Sequence, residues 1–259
     1  MTDRLAAAGC VAADEEATEL VAAAGSDGIL ETFVSRREQG EPLAWITGTC
    51  RFCGHTVRVD PGVYVPRAQS EELARRAATL LSGRDSPRAA DLCTGSGAVA
   101  VHLLAAVPAA TVVGVDADPR AAACARRNGV PVVVGDLGRP LVPRAFDVVT
   151  AVAPYVPTAD LAFLPSDVQT YEPRRALDGG DDGLDVLRDV VESAARLLRP
   201  GGWLLAEIGG DQDRRLARTL DDCGFDPAGT WLDEDDDLRG LAARLSVTGS
   251  GQARWPQVD

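Results

Sequence analysis

The sequence contains no lysine, a single asparagine and no long apolar run. All 26 basic residues are arginine, and 39 acidic residues leave a formal net charge of −13. A membrane-spanning helix needs about 20 consecutive apolar residues, so we expect no membrane span. General nucleic-acid binding needs a basic surface, which this composition argues against. The amino terminus also lacks the basic and then apolar layout of a signal peptide. We therefore expect a cytoplasmic protein.

Cysteine is too sparse for a disulfide framework, with six residues in a chain of 259. Cys50 and Cys53 form a C-x-x-C pattern, and His55 follows closely. A structural zinc site would need a second pair of cysteines or further histidines nearby. We therefore interpret Cys50 and Cys53 as two small residues on a strand and predict no metal site.

From residue 88 onward, strand and helix patterns alternate. Strands are predicted at 88–92, 111–115, 131–134, 146–151 and 203–208, with two closing strands near 228–233 and 241–247. Helices are predicted at 69–82, 97–106, 118–128, 182–199 and 211–222, a long loop at 156–181, and a frayed tail after Thr248. This alternation is typical of an α/β fold with a doubly wound, Rossmann-like parallel sheet and helices on both faces.

The first 67 residues have a different pattern. Apolar residues recur at helical spacing within 1–40, which predicts two or three short helices. Residues 41–67 contain β-compatible runs, including 45–47 and 63–65, between glycine and proline turns, which predicts a small hairpin. We therefore expect two parts, an N-terminal helical region with a hairpin at 1–67 and the main domain at 68–259.

A turn of small residues follows the first strand of the main domain. Asp91 lies near the end of that strand, and the turn at 94–97 reads TGSG before an apolar helix. Glycine in such a turn permits positive φ and lets a ligand approach the backbone closely. Asp116 and Asp136 end the next two strands. Because ligands bind at the carboxyl ends of parallel strands, we expect these acids to surround one ligand.

The charge of these strand ends distinguishes two possible cofactors. A nicotinamide dinucleotide would fit the same outline, but its pyrophosphate would meet three acids. S-adenosylmethionine (SAM) carries a sulfonium and an ammonium group and no phosphate. An acidic pocket attracts such a cation and repels a pyrophosphate. We therefore predict SAM as the cofactor, with an NAD-linked oxidoreductase as a remaining alternative.

Residues 91–98, DLCTGSGA, resemble the DLGTGSGA motif of the HemK/PrmC family. Other segments resemble the same family, namely GEPLAWITG at 40–48, VPR at 65–67 with SE at 70–71, YEPRRALDGGDDGLD at 171–185 and LRPGG at 198–202. Members of this family are class I SAM-dependent methyltransferases that modify the side-chain nitrogen of glutamine in peptide chain release factors. The resemblance thus implies the same fold, cofactor and protein partner here.

The resemblance also implies roles for individual residues. Thr94, Gly95, Ser96 and Gly97 would contact SAM, Asp116 would hold the ribose, and Asp136 and Leu137 would lie by the adenine. Asp91 and Cys93 belong to the same expected cofactor set. Arg67 and Glu172 are the expected substrate-binding residues.

The expected catalytic motif departs from the family. The family has N-P-P-Y after its fourth strand, whereas this chain has Val152, Ala153, Pro154 and Tyr155. The Asn carbonyl and the next main-chain carbonyl would accept the two N–H bonds of the glutamine amide and orient its nitrogen. Valine offers no acceptor, which would cost about 2.7–4 kcal/mol of barrier. The chain's single asparagine, Asn128, lies on a different predicted helix.

This departure leaves several functions open. The acceptor is a release-factor-like glutamine or a related nitrogen, or else a small-molecule metabolite. A third alternative is a SAM-binding protein with weak catalysis. Only 39 residues precede Gly40, fewer than in the family's helical domain, which also favours a different target. Tyr155 would either contact a substrate or pack in the core.

Overall fold

The structure is a computed structural model that describes residues 1–247, so the tail expected to fray after Thr248 lies outside the described residues. The chain begins with four helices, α1 (Thr2–Ala7), α2 (Ala13–Ala24), α3 (Asp27–Glu38) and α4 (Leu43–Thr47). They enclose a small core that includes Leu5, Leu20 and Val34. An antiparallel hairpin of β1 (Thr49–Phe52) and β2 (His55–Arg58) follows.

The hairpin packs against the main domain. Phe52 and Val57 share a buried core with residues of α5 (Glu71–Leu81) and α6 (Ala98–Ala106). The helical core of α1 to α4 is a separate cluster. The division of the chain at residue 67 remains a prediction.

A seven-stranded sheet forms the main domain. Its strands are β3 (Arg88–Leu92), β4 (Thr111–Asp116), β5 (Val132–Val134), β6 (Phe146–Ala151), β7 (Leu198–Glu207), β8 (Gly229–Leu232) and β9 (Leu238–Arg244). Their order is β5-β4-β3-β6-β7-β9-β8. Neighbouring strands from β5 to β7 run parallel, and β9 runs antiparallel to both β7 and β8. The predicted doubly wound α/β sheet is confirmed.

Helices cover both faces because each presents an apolar stripe to the sheet. They include α7 (Pro119–Arg127), α9 (Asp185–Leu197) and α10 (Gln212–Asp222). The short helix α8 (Ser166–Tyr171) lies between β6 and α9 and has no buried residue. In α9, the buried residues recur at helical spacing, namely Leu187, Val190, Val191, Ala194 and Leu197. β6 is buried along its whole length, as expected for a central parallel strand. No helix among residues 1–247 is long and apolar enough to span a membrane.

The structure corrects several predicted elements. Residues 45–47, predicted as β-compatible, belong to the short helix α4, and residues 63–65 form no strand. Pro42 precedes this helix and Gly48 ends it with φ of 78°, so local turn chemistry overrides β propensity. The predicted loop at 156–181 contains α8 and two 3₁₀ turns, and β7 begins at Leu198 instead of residue 203.

Candidate active site

The strand order reverses direction at β3, which pairs with β4 on one side and β6 on the other. A first cavity of about 300 Å³ opens at the carboxyl ends of these strands. Most of the predicted cofactor residues line it: Asp91, Cys93, Thr94, Gly95, Ser96, Asp116, Asp136 and Leu137. The sheet thus brings together residues that are up to 46 positions apart in the sequence.

Asp91 lies at the base of this cavity with 2% of its surface exposed. Its Oδ2 accepts a hydrogen bond from Thr94 Oγ1 at 2.5 Å, and its Oδ1 accepts one from Thr150 Oγ1 at 2.7 Å. Burial raises the pKa of Asp91 to about 6, although both hydroxyl donors oppose the rise. The carboxylate is therefore held in place and is costly to ionise until a cation compensates it.

The small-residue turn follows an unusual backbone path. Cys93, Gly95 and Gly97 have φ of 55°, 57° and 84°. Gly97 does not line the cavity; it is the residue from which α6 begins. A Cβ on Gly97 would lie 2.9 Å from Val130 Cγ2, so glycine is required there for space as well as for backbone conformation.

The turn also presents two side chains to the cavity. Ser96 is 2% exposed, and its Oγ is buried without a hydrogen-bond partner among the described residues. Buried polar atoms without a partner are uncommon in proteins, and Ser96 is one of the residues that line this cavity. Burial raises the pKa of the Cys93 thiol well above its ordinary range, and Asp116 adds to the rise. Cys93 is thus an uncharged wall residue and not a nucleophile.

Asp116 connects the turn to the end of β4. Its Oδ2 accepts from the Gly95 N–H and its Oδ1 from the Asp118 N–H, both at 2.8 Å. Burial raises the pKa of Asp116. A carboxylate has about four lone-pair positions, so both oxygens can still accept ligand hydroxyls. This geometry fits a carboxylate that binds a ribose.

The charges on the cavity wall fit a cationic cofactor. Among the described residues that line it, five are acidic and Arg175 is basic; the acids are Asp91, Asp116, Asp118, Asp136 and Asp189. Asp136 is exposed and forms an ion pair with Arg139 at 2.9 Å. The excess of acids matches SAM better than a pyrophosphate.

A second cavity of about 350 Å³ adjoins the first. Val152 lines both cavities, Pro154 lines the first, and Ala153 and Tyr155 line the second. The rest of the second wall is mostly apolar, with Tyr64, Val156, Leu164, Pro165, Val168 and Leu177. The four residues of the predicted catalytic motif therefore lie where the two cavities meet.

Tyr155 is held from both its side chain and its backbone. Its hydroxyl accepts a hydrogen bond from Gln69 Nε2 at 3.0 Å, and its carbonyl accepts one from Gln212 Nε2 at 2.9 Å. The ring is half-buried and packs against the main core while it lines the second cavity. Burial raises the pKa of Tyr155, and Glu207 adds to the rise. The tyrosine is thus a fixed, protonated wall of the second cavity.

Arg67 and Glu172 form an ion pair with each other. Arg67 lines the second cavity, and its guanidinium lies 5.2 Å from the centre of the Tyr64 ring. Glu172 is buried and lines neither cavity. Burial raises the pKa of Glu172, and Arg67 opposes the rise. Arg67 is therefore open to the second cavity, whereas Glu172 lies behind it and contacts it through the ion pair.

The sequence interpretation missed three further residues of this site. Gln69 lines the second cavity and Ser70 lines the first. Both donate to the carboxylate of Glu207, which is 1% exposed at the end of β7. Ser70 lies within a segment that resembles the family, but Gln69 and Glu207 are 138 positions apart. No local pattern could have paired them.

Cys50 and Cys53 are not joined by a disulfide. His55 Nε2 lies 3.4 Å from His102 Nδ1, and neither histidine lines the two cavities. Burial lowers the pKa of His102. Within residues 1–247, no group of three or more His, Cys, Asp or Glu side chains is arranged to hold a metal ion. These four residues lie outside the site described above.

Comparison with known proteins gives concordant results. The family described as "Methyltransferase domain" matches residues 89–167. The release factor glutamine methyltransferase of Geobacter sulfurreducens is 42% identical over 201 residues, which cover 74% of this chain and 69% of that protein. The 4-amino-L-phenylalanine/4-methylamino-L-phenylalanine methyltransferase of Streptomyces pristinaespiralis is 39% identical over 191 residues. These residues cover 70% of this chain and 65% of that protein.

A solved structure shows the same fold. The ribosomal protein L11 methylase of Lactobacillus delbrueckii subsp. bulgaricus superposes with a TM-score of 0.54 at 17% identity, over 74% of this chain and 86% of that one. At this identity the likeness concerns the fold alone. It confirms the predicted class I methyltransferase architecture, and the family match and the sequence relatives confirm SAM as the cofactor. The chain belongs to the release factor glutamine methyltransferase family, HemK/PrmC, and is a SAM-dependent methyltransferase.

Proposed function

We propose that this methyltransferase transfers the methyl group of SAM to the nitrogen of a small-molecule amine that carries an apolar, aromatic-sized group. The second cavity is the acceptor site in this proposal. The observation that carries it is the side chain of Val152, which stands between the two cavities where the family has an amide.

A primary amide is a demanding acceptor because its nitrogen lone pair is delocalised. Orienting that lone pair requires an acceptor for each of its two N–H bonds. Val152 supplies none, and the main-chain carbonyl of Ala153 is the remaining acceptor of the motif. The loss of one well-placed hydrogen bond costs about 100–1,000-fold in rate. An amine, whose lone pair is more localised, tolerates this change better.

The wall of the second cavity supports the same acceptor class. Its apolar and aromatic side chains would pack around a ring or a branched chain. Arg67 offers charged donors at the same wall and would bind an acidic or carbonyl group of the acceptor. Glu172 would then be the residue that positions Arg67. The Streptomyces pristinaespiralis relative is named for an aromatic amine substrate, which is consistent with this class.

Catalysis in this proposal is mostly orientation. SAM supplies an electrophilic methyl carbon bonded to a positively charged sulfur. Asp91, Asp116 and residues 94–96 would hold the donor side, with Asp136 and Leu137 at its outer end. The 152–155 segment, which includes Tyr155, would hold the acceptor nitrogen in line with the methyl group. A C–N bond forms as the S–C bond breaks, and the displaced N–H proton passes to water.

Family membership favours a second candidate, the glutamine side chain of a peptide chain release factor. The Geobacter sulfurreducens relative is named for this substrate, and Pro154 and Tyr155 of the motif are kept. If this candidate is right, Val152 predicts slow transfer. A third candidate, a SAM-binding protein with weak catalysis, predicts SAM binding with little or no transfer to any acceptor.

The test is incubation of the full chain with methyl-labelled SAM and a panel of acceptors. The panel contains 4-amino-L-phenylalanine, simple aromatic and aliphatic amines, and a purified release factor. We expect transfer to at least one amine at a higher kcat/KM than to the release factor. Transfer to the release factor alone, or to no member of the panel, contradicts the proposal. A calorimetric titration with SAM confirms that the protein tested is folded and binds its cofactor.

A further inference from the structure

We propose that Gln69 Oε1 accepts a hydrogen bond from the acceptor nitrogen and thereby supplies the side-chain carbonyl that position 152 lacks. The inference rests on the proposed use of the second cavity as the acceptor site. It does not depend on whether the nitrogen belongs to an amine or an amide, because both carry N–H bonds that need an acceptor.

The hydrogen bonds of Gln69 fix the orientation of its amide group. Gln69 Nε2 lies 2.9 Å from Glu207 Oε1 and 3.0 Å from the Tyr155 hydroxyl. The other carboxylate oxygen of Glu207 accepts from the Ser70 hydroxyl. An exchange of the nitrogen and oxygen of Gln69 would place an amide oxygen against a carboxylate oxygen, which is repulsive. The NH₂ group therefore faces Glu207, and Oε1 occupies the other position.

That oxygen is free to meet a ligand. In the part of the chain that the structure describes, both hydrogen bonds of the Gln69 side chain leave from Nε2. Gln69 is half-buried and lines the second cavity together with Val152 and Tyr155. An uncommitted amide carbonyl thus lies on the wall of the proposed acceptor site. It is the same functional group as the asparagine carbonyl that the family has at 152.

The support behind Gln69 makes this carbonyl rigid. Glu207 is 1% exposed and Ser70 is 3% exposed, so neither partner exchanges freely with water. The same carboxylate holds Ser70, which faces the first cavity, and Gln69, which faces the second. Preorganised acceptors of this kind need no reorganisation during the reaction. Glu207 is accordingly a positioning residue that fixes one residue of each cavity.

The chemical step needs no proton transfer to Gln69. The nitrogen lone pair forms the new C–N bond while the electron pair of the S–C bond goes to sulfur. One N–H remains hydrogen-bonded to Oε1, and that bond strengthens as positive charge develops on the nitrogen. The proton then leaves to water. Gln69 thus contributes to orientation and to transition-state stabilisation.

The test replaces Gln69 with leucine, which has similar volume and no carbonyl. We expect Gln69→Leu to lower kcat/KM for the acceptor by about 100-fold while the Kd for SAM changes by less than about twofold. Gln39→Leu, the same change at an exposed position outside both cavities, is the matched control and should leave both values unchanged. The double variant Gln69→Leu with Val152→Asn should have a kcat/KM about tenfold or more above that of Gln69→Leu, because it returns a side-chain carbonyl to the place where the two cavities meet.

A purely structural role for Gln69 predicts a different pattern. If Gln69 only holds the Tyr155 ring, then Tyr155→Phe should reproduce the full loss and Val152→Asn should rescue nothing. That pattern, or an unchanged kcat/KM in Gln69→Leu, overturns the inference.

A binding measurement separates this inference from the proposed function. The protein is loaded with S-adenosylhomocysteine, and 4-amino-L-phenylalanine and a glutamine peptide are titrated by calorimetry. Binding that weakens about tenfold or more in Gln69→Leu supports the inference even if no amine is methylated. Methylation of an amine that is insensitive to Gln69→Leu supports the proposed function and overturns the inference. Absence of binding by both ligands overturns the inference as well.

Discussion

Thr150 Oγ1 donates a hydrogen bond to Asp91 Oδ1 at 2.7 Å, and the two residues are direct partners on the adjacent parallel strands β6 and β3. This bond joins the strand that leads into the cofactor turn to the strand that leads into the 152–155 segment. Both residues are buried. The relative position of the two halves of the site is therefore set by the central strands and not by loops.

The pH dependence of SAM binding tests the role of Asp91. Burial raises the pKa of Asp91 to about 6 from an ordinary value of 3.8, and a bound cation favours its ionised form. SAM affinity should therefore fall as the pH decreases below about 6, by up to tenfold per pH unit. Asp91→Asn should bind SAM about tenfold more weakly at pH 8 and show a flat profile. Calorimetry at pH 5, 6, 7 and 8 measures both. A wild-type profile as flat as that of the variant contradicts this role.

The same pKa has the opposite consequence for the protein without cofactor. The folded pKa lies above the ordinary value, so the folded state binds more protons between those two values. The stability that Asp91 contributes is therefore greatest below pH 3.8 and decreases as the pH rises from 3.8 to about 6. Asp91→Asn should therefore be no less stable than the wild type at pH 8 in urea unfolding, although it binds SAM more weakly.

Gly97→Ala tests whether the turn requires glycine for space. Its φ is 84°, and the new Cβ would lie 2.9 Å from Val130 Cγ2 and 3.2 Å from Ala125 Cβ. Gly129→Ala is the matched control, since its φ is 80° and nothing lies within 4 Å of the added Cβ. Both variants carry the strain of positive φ, about 1–2 kcal/mol. Gly97→Ala should lose about 1–3 kcal/mol more from overpacking. Equal free energies of unfolding for the two variants would contradict the steric argument.

The ion pair of Arg67 and Glu172 predicts unequal effects of removing either partner. Glu172 has a side-chain exposure of 1% and Arg67 one of 32%. Arg67→Met leaves a buried carboxylate uncompensated, which costs about 3–5 kcal/mol when it is ionised. Glu172→Gln leaves an arginine that reaches water, at a cost of about 1–3 kcal/mol.

The pH dependence of these two variants should differ as well. Burial raises the folded pKa of Glu172 above its ordinary value of 4.5, so the stability it contributes decreases as the pH rises through that window. Arg67 lowers the pKa of Glu172, so without Arg67 this pKa is higher and the loss of stability continues to higher pH. The deficit of Arg67→Met should therefore grow from pH 5 to pH 8, whereas that of Glu172→Gln should not. Urea unfolding at both pH values measures this, and a constant deficit for Arg67→Met would show that Glu172 is not the cause.

The sequence predicted most of the sheet and the cofactor half of the site because those features have local signals. The turn at 94–97 and the acids at the ends of β3 and β4 follow buried strands directly, and parallel strands align their carboxyl ends. The position of β9 between β7 and β8 has no local signal, since it depends on pairing between distant segments. The helix α4 was missed because Trp45 and Ile46 are common in strands, whereas turns at both ends fix five residues as a helix.

The acceptor half was harder to predict because its contacts are long-range. Gln69 lies before α5 and Glu207 ends β7, and only the packing of α5 on the sheet brings them together. Val152 was identified because it breaks a motif of four consecutive residues. The motif thus pointed to the proposed acceptor site, but the hydrogen-bond network of Gln69, Ser70 and Glu207 could be seen only in three dimensions.

The measurement that tests the account most directly compares wild type and Val152→Asn for methyl transfer from labelled SAM to 4-amino-L-phenylalanine and to a release factor. The account predicts that the wild type prefers the amine and that Val152→Asn raises kcat/KM for the release factor by about tenfold or more. The ratio of kcat/KM for the release factor to kcat/KM for the amine should therefore rise in Val152→Asn. A wild type that prefers the release factor, with a ratio unchanged by Val152→Asn, would contradict it.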